Sequence, residues 1–144
     1  MTNITYESPS VQSYLNILQS IINRMAANSS GCKTWCITLV SAIILIIADK
    51  SKPAYLFISI VPIILFLFLD SYYLGLERLF RNLYNEFIKK LHSNIATIDD
   101  VFMVSPGTKT EILRAAFHSF SSIAVWPFYG LLGLMLYIVH KIIL

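Results

Sequence analysis

Charged side chains are scarce in this sequence. Asp, Glu, Lys and Arg make up 13% of the 144 residues, and hydrophobic residues make up 56%. A soluble domain is typically about 25% charged, so this composition indicates that the bilayer is the main solvent of the chain. The net charge of +3 is small and the basic residues are dispersed, which does not favour nucleic-acid binding.

Cysteine is also rare, and catalytic motifs are missing. Cys32 and Cys36 have the wrong spacing for a C-x-x-C motif and a poor helical geometry for a disulfide, so we interpret them as packing residues. There is no nucleophile elbow, H-E-x-x-H, P-loop or glycine-rich fingerprint. Asp99 and Asp100 lack further ligands and are interpreted as a turn or an N-cap. The sequence therefore predicts no enzyme, cofactor or metal.

Two uncharged stretches predict a transmembrane hairpin over residues 31–70. Residues 34–48 and 54–69 contain no charge and are separated by a polar turn at 49–53. With flanking residues each approaches the roughly 20 positions that a membrane crossing needs. Pro62 is expected to lie within the second span, where a neighbouring helix would cover the carbonyl that it frees.

Two amphipathic helices are predicted on either side of this hairpin, over residues 1–30 and 71–92. In the first, Ser8 and Pro9 have the character of an N-cap and a first helical residue. Each helix has an apolar stripe, which we expect to pack on the other helix and on neighbouring subunits. The stripe residues proposed for this contact are Leu15, Leu18, Ile22, Met25, Leu79, Leu83 and Phe87.

A linker over residues 93–110 is followed by a third predicted transmembrane helix over 111–144. A capping box at Thr108–Glu111 starts this helix, and Trp126-Pro127 is expected to kink it. The combined elements predict an all-α membrane protein with three transmembrane helices and two cytoplasmic amphipathic helices.

The first half of the third span is unusually polar. His118, Ser119 and Ser122 are therefore candidates for lining a pore. The alternative for His118 is a hydrogen bond to a neighbouring helix, which is the common role of such residues.

The distribution of Lys and Arg predicts the orientation. One side of the predicted membrane holds Arg24, Lys33, Arg78, Arg81, Lys89, Lys90, Lys109 and Arg114, and the other holds Lys50, Lys52 and Lys141. The positive-inside rule then puts the N-terminus in the cytoplasm and the C-terminus in the periplasm of a bacterial inner membrane.

Asp70 lies where the second span ends. Counting outwards from the hairpin turn puts it level with Lys33, near Trp35 and Tyr72, which suggests an interfacial aromatic belt. Three roles are open for Asp70: an interfacial carboxylate that pairs with Lys33 or Arg114, an ion or proton site inside the membrane, or a partner across an oligomer interface.

The same count from the hairpin turn predicts a second contact further along the helices. It puts Glu77 opposite Arg24, where the two side chains are candidates for another interfacial ion pair.

Several segments resemble a widespread group of small, poorly characterised bacterial inner-membrane proteins. They are Ile22–Ser29, Lys33–Thr38, Phe68–Leu74, Glu77–Tyr84 and Phe128–Gly130. The resemblance implies a helical inner-membrane protein and implies no activity. The architecture is also similar to that of small multi-span effectors in anti-phage systems, whose subunits assemble and compromise the inner membrane.

The function that we expect is that of an oligomeric inner-membrane effector that permeabilises or depolarises the membrane, with anti-phage defence as the implied setting. The alternatives are a membrane scaffold without a pore that anchors a cytoplasmic partner, and a small transporter that depends on Asp70. The expected partners are membrane lipids, other copies of the chain and a cytoplasmic protein, and no nucleic acid.

Overall fold

The computed structural model describes residues 4–50 and 53–143, except for the side chains of residues 48–50, 53–55 and 143. The described residues form four α-helices, two 3-10 helices and no strand, which confirms the all-α class. The α-helices are α1 (Pro9–Lys50), α2 (Ile60–His92), α3 (Lys109–Phe120) and α4 (Trp126–Ile143). The 3-10 helices are Pro53–Ser59 and Ile98–Asp100. The predicted polar turn at 49–53 lies partly outside the described residues.

Two stretches, Pro9–Ile47 and Leu56–His92, are long and apolar enough to cross a membrane. The first belongs to α1, a single helix of 42 residues, which is about 63 Å long at 1.5 Å per residue. The helix therefore crosses the boundary predicted at residue 30 without a break. Gly31 near that boundary costs only about 1 kcal/mol relative to alanine, too little to end so long a helix.

Pro62 lies within the second apolar stretch, Leu56–His92, as the sequence predicts. It is the third residue of α2, which begins at Ile60 directly after the 3-10 helix. The missing N–H of proline therefore falls where the 3-10 helix passes into α2. Helix α1 lies beside this turn, with Cys36 Sγ 3.9 Å from the carbonyl oxygen of Pro62.

Helices α1 and α2 pack on each other, on the linker and on α4, and this packing buries two groups of hydrophobic side chains. The first, which we call the N-terminal cluster, comprises Val11, Tyr14, Leu18, Ile22, Met25, Phe80, Phe87, Leu91, Ala96 and Val101. The second, which we call the hairpin cluster, comprises Cys36, Val40, Ile47, Leu56, Leu74, Val125, Tyr129, Leu132 and Leu136. Most side chains of the predicted apolar stripes are thus buried within the chain itself. Leu15 and Leu83 are partly buried and pack at the edge of the N-terminal cluster.

The linker is docked on the N-terminal cluster. Ala96 and Val101 are buried in it, and the hydroxyl of Tyr14 donates to the carbonyl oxygen of Met103 over 2.6 Å. Lys90 Nζ lies 2.5 Å from Asp100 Oδ1, and Asp100 also completes a capping box with Thr97. The linker therefore ties the N-terminal end of α1 to the C-terminal end of α2.

The third predicted span is two helices instead of one. A segment at residues 121–125 separates α3 from α4, and the carbonyl oxygen of Ser122 there accepts hydrogen bonds from the N–H groups of Val125 and Trp126. The cause is Pro127, which has no N–H and whose ring would clash with the carbonyl four residues earlier in a continuous helix. In the first turn of α4 it is tolerated.

The two resulting helices differ in length. The 12 residues of α3 extend about 18 Å, and the 18 residues of α4 extend about 27 Å. Only α4 matches the roughly 30 Å hydrocarbon core of a bilayer. The capping box predicted at Thr108–Glu111 is present, and α3 begins at Lys109.

Helices α2 and α3 approach each other closely at Gly75. A Cβ atom on Gly75 would lie 2.7 Å from the backbone nitrogen of Ala116 and 2.9 Å from the carbonyl carbon of Ala115. Because both obstructing atoms belong to a helix backbone, only glycine permits this contact.

We expect Gly75→Ala to displace α3 and to destabilise the protein by roughly 1–3 kcal/mol, the usual cost of overpacking. Circular dichroism of the detergent-solubilised protein would measure the loss as a lower unfolding midpoint. Gly133→Ala is the control, because a Cβ there meets nothing within 4 Å and alanine is the better helix former. Equal midpoints for the two variants would contradict the close contact.

Acidification should release the linker. A hydrogen bond from Lys90, followed by one from the backbone of Thr97, lowers the pKa of Asp100 below its ordinary value. A carboxyl with a lowered folded-state pKa contributes stability above its ordinary pKa, and that stability is lost as the pH falls through the folded value. Limited proteolysis between about pH 7 and about pH 2, with an acid-active protease at the low end, should show increasing cleavage in residues 95–105.

The control for this prediction is the neighbouring carboxylate. Asp100→Asn should cleave readily at every pH, whereas Asp99→Asn, which removes an exposed side chain, should behave like the wild type. Cleavage that does not change with pH in the wild type would contradict the role of Asp100.

Candidate functional site

A buried ion pair joins α1 to α2 between the two clusters. The side chain of Asp70 is fully buried, and its Oδ2 lies 2.6 Å from Lys33 Nζ, which is 23% exposed. The hydroxyl of Ser29 donates to the other oxygen, Oδ1. Oδ1 thus accepts a hydrogen bond, whereas Oδ2 lies against the ammonium group without a well-directed hydrogen bond. The short distance between the two charges still compensates the carboxylate within the chain.

Because it is buried, this ion pair is costly to separate. Removing a carboxylate from water is costly unless a counter-charge and hydrogen bonds replace the water. Any sliding of α1 along α2 would separate Asp70 from Lys33, so the pair sets the register of the two helices.

Exposed aromatic side chains lie at the same height along the helices as the ion pair. Trp35 is 62% exposed and Tyr72 is 41% exposed, and Tyr72 packs against Tyr73. Large exposed aromatic rings at one level are typical of the boundary between lipid and water.

A second polar cluster joins α2 to the end of α3. Arg78 Nη2 lies 2.7 Å from Ser122 Oγ, Arg78 Nη1 lies 3.3 Å from Ser119 Oγ, and Nη1 is 3.5 Å from His118 Nδ1. We call these four residues the Arg78 cluster. The three side chains considered for pore lining thus converge on one guanidinium group in this subunit.

The close contact at Gly75 is what makes the Arg78 cluster possible. Arg78 lies three residues after Gly75, on the same face of α2, so the absence of a side chain at Gly75 brings α3 within reach of the guanidinium. Ser119 is fully buried and also donates to the carbonyl oxygen of Ala115 over 2.8 Å. Its oxygen is thereby oriented to accept from Arg78.

The structure has Lys33 rather than Arg114 beside Asp70, and the predicted pair of Glu77 with Arg24 is not formed. Glu77 lies 2.5 Å from Arg81, one turn further along α2, rather than pairing with Arg24, because an i,i+4 partner on the same helix is always within reach. Arg114 is exposed on α3 and does not reach Asp70, whose oxygens contact α1. Arg114 instead lines a cleft with Arg78 and His118.

Sequence reasoning missed Ser29 and Arg78. Ser29 lies one helical turn before Lys33, so it shares a face with that residue, and this spacing could have identified it. In the sequence Arg78 is noted only as one of the basic residues that indicate the cytoplasmic side. Its position three residues after a glycine inside α2 was the available signal.

The described residues contain no group of three or more His, Cys, Asp or Glu side chains that could hold a metal ion. Comparison of the chain with family models, curated proteins and solved structures found no match. The features that bear on function are therefore the ion pair of Asp70, the Arg78 cluster and the helices that carry them.

Lys33→Met should destabilise the protein by roughly 3–5 kcal/mol, because it leaves a carboxylate buried without its counter-charge. The double variant Lys33→Met with Asp70→Asn should recover much of that loss, since it removes both charges. Chemical unfolding in detergent would measure each free energy. For comparison, Arg81→Met breaks an exposed pair and should cost about 1 kcal/mol or less. A double variant as unstable as Lys33→Met would contradict the coupling.

Proposed function

We propose that the chain crosses a bacterial inner membrane three times, with α3 lying at the cytoplasmic interface. The crossings would be the second half of α1, the first half of α2 with its preceding 3-10 helix, and α4. Support comes from the two long apolar stretches and from α4, whose length is suitable and whose outward side chains Leu131, Leu134 and Tyr137 are more than half exposed. The excess of Lys and Arg beyond the aromatic belt supports a cytoplasmic N-terminus.

On this membrane placement we propose a self-assembling effector that permeabilises or depolarises the membrane. The observation that carries the proposal is the convergence of His118, Ser119 and Ser122 on Arg78, beside the break between α3 and α4. Ser119 is buried and Ser122 partly buried, so Arg78 holds these two hydroxyls against α2, an arrangement suited to a closed state. Release of Arg78 would free the α3–α4 segment to rotate its serines and histidine towards a water-filled path between subunits.

Assembly is part of this proposal because three helices are too few to enclose a channel by themselves. The outer surface of the hairpin offers large apolar side chains for lipid or for another copy, among them Leu45, Val61 and Leu65, each more than half exposed. Anti-phage defence is a setting consistent with such an effector.

A membrane scaffold without a pore is the second candidate, and the docked linker is the observation that favours it. Tyr14, Lys90 and Asp100 tie the linker to α1 and α2, which gives these helices a rigid end. The polar face of α1 beside it forms a shallow groove along Gln12, Ser13 and Asn16, where a cytoplasmic partner could dock.

A transporter that uses Asp70 has less support. Its carboxylate would first have to separate from Lys33 and Ser29, both of which contact it directly. Separation inside an apolar environment is costly, so a transport cycle through Asp70 would need a compensating charge.

We expect Arg78→Gln to increase ion flux through liposomes by about tenfold or more, because it removes charge-assisted hydrogen bonds of roughly 1.5–3 kcal/mol. The measurement is the decay of a potassium gradient, followed with a voltage-sensitive dye. Arg81→Gln is the matched control: it removes the same charge from the same helix but leaves the Arg78 cluster intact. Ser122→Ala, a milder change, should raise flux in the same direction.

Flux that stays at background in all variants, with the oligomer intact, would contradict the effector and favour the scaffold. Equal increases in Arg78→Gln and Arg81→Gln would contradict the role of the Arg78 cluster, because they would report charge loss alone.

A further inference from the structure

We propose that the cleft between α2 and α3 binds the phosphodiester headgroup of an anionic phospholipid. The cleft has a volume of about 310 Å³ and is lined by Arg78, Asn82, Glu111, Arg114 and His118, with Leu79 and Ala115 forming its apolar wall. The inference rests on the membrane placement proposed above and is independent of whether the protein permeabilises the membrane.

The charges of the cleft favour an anionic ligand. Among the described residues, Arg78 has hydrogen-bond partners only in the neutral hydroxyls of Ser119 and Ser122 and the ring of His118, and it forms no ion pair with any of them. Its guanidinium group has five N–H donors, so it can hold these contacts and still donate to a phosphate. Arg114, on the facing helix, provides a second guanidinium group that is exposed.

The one carboxylate of the cleft is already used. Glu111 Oε2 accepts hydrogen bonds from the backbone nitrogen of Thr108 over 2.6 Å and from its hydroxyl over 2.9 Å. These bonds cap α3 and lower the pKa of Glu111, so the carboxylate is committed to the helix end. Two guanidinium groups against one carboxylate leave the cleft positive before His118 is counted.

The position of the cleft favours a lipid over a soluble anion. In α2 the Cα–Cβ bonds tilt towards the helix N-terminus, which is the membrane side in the proposed orientation, so Arg78 leans back towards the bilayer. It reaches Ser122, four residues before α4 begins. A guanidinium group at this depth lies in the headgroup layer, which adds about 5–7 Å to each side of the hydrocarbon core.

Helix α3 provides the apolar surface that the rest of a lipid needs. Leu113 and Phe117 are 58% and 70% exposed, and their i,i+4 spacing puts them on one face. The contacts of Gly75 with Ala115 and Ala116 and of Phe68 with Phe120 show that α3 runs antiparallel along α2, so this apolar face is open to lipid beside the cleft. Acyl chains could then extend along Phe117 while the phosphate lies between Arg78 and Arg114. Basic pockets of this kind between membrane helices are known to hold anionic headgroups.

The test uses the purified full chain in a neutral detergent. Phosphatidylglycerol or phosphatidylcholine with the same acyl chains is added at equal mole fractions, and the unfolding midpoint is followed by far-ultraviolet circular dichroism. We expect phosphatidylglycerol to raise the midpoint and phosphatidylcholine to leave it nearly unchanged, because only the former has an uncompensated phosphate charge. Ligand bound to the folded state alone stabilises it by mass action.

Matched arginine and lysine variants locate the site. Arg114→Gln should raise the phosphatidylglycerol concentration for half of the midpoint shift about tenfold, the usual effect of losing one charge-assisted contact. It leaves Arg78 and its partners in place, so its folding should be preserved. Lys109→Gln removes the same charge from the same helix outside the cleft and should behave like the wild type.

Additional arms distinguish the sources of phosphate. Inorganic phosphate and glycerol 1-phosphate at matched concentrations should give no comparable shift, and an equal shift would overturn the assignment to a lipid in favour of a soluble anion. Equal responses to the two lipids would overturn the site itself. Equal weakening in Arg114→Gln and Lys109→Gln would reduce it to general surface attraction. Because no flux is measured, failure of the permeabilisation proposal would not affect these outcomes.

Discussion

The ion pair between Lys33 and Asp70 fixes how the two long helices meet, and the other features depend on that register. With Asp70 buried and matched to α1, the apolar side chains of α1 and α2 fall opposite one another in both directions along the pair. Gly75 and Arg78 follow Asp70 on α2 and contact α3. The Arg78 cluster and the cleft beside it therefore lie next to the ion pair along the same helix.

Much of this arrangement could be predicted from the sequence, because it depends on local or periodic signals. The spacing of Leu18, Ile22 and Met25 identified the α1 stripe, the Thr108–Glu111 capping box gave the start of α3, and symmetric counting from the hairpin turn put Asp70 beside Lys33. Each of these depends on helix geometry, which is the same in every protein.

The rest depended on contacts between distant segments, which periodicity does not encode. The sequence could not show that α3 would lie against Gly75, so it predicts no partner for Arg78 and leaves Arg114 open as a partner for Asp70. The effect of Pro127 was underestimated for a different reason. A proline kink and a complete break look alike in sequence, and the hydrogen bonds around Ser122 decide between them. The docking of the linker likewise follows from Ala96 and Val101 meeting helix residues far away in the chain.

The continuity of α1 has a mechanical consequence. A helix that runs for about 63 Å with no proline after its first residue, paired along its length with α2, resists bending and twisting between its ends. A rotation or tilt imposed at Tyr14, where the linker is attached, would be transmitted to Val40 as a rigid-body movement. The part of the chain formed by α3 and α4 has no such stiffness, because residues 121–125 between them interrupt the helix. The chain therefore combines a stiff pair of helices with a third part that can bend at residues 121–125. A force applied to the helix pair would be expected to change the angle of α3 to α4 before it changed anything else.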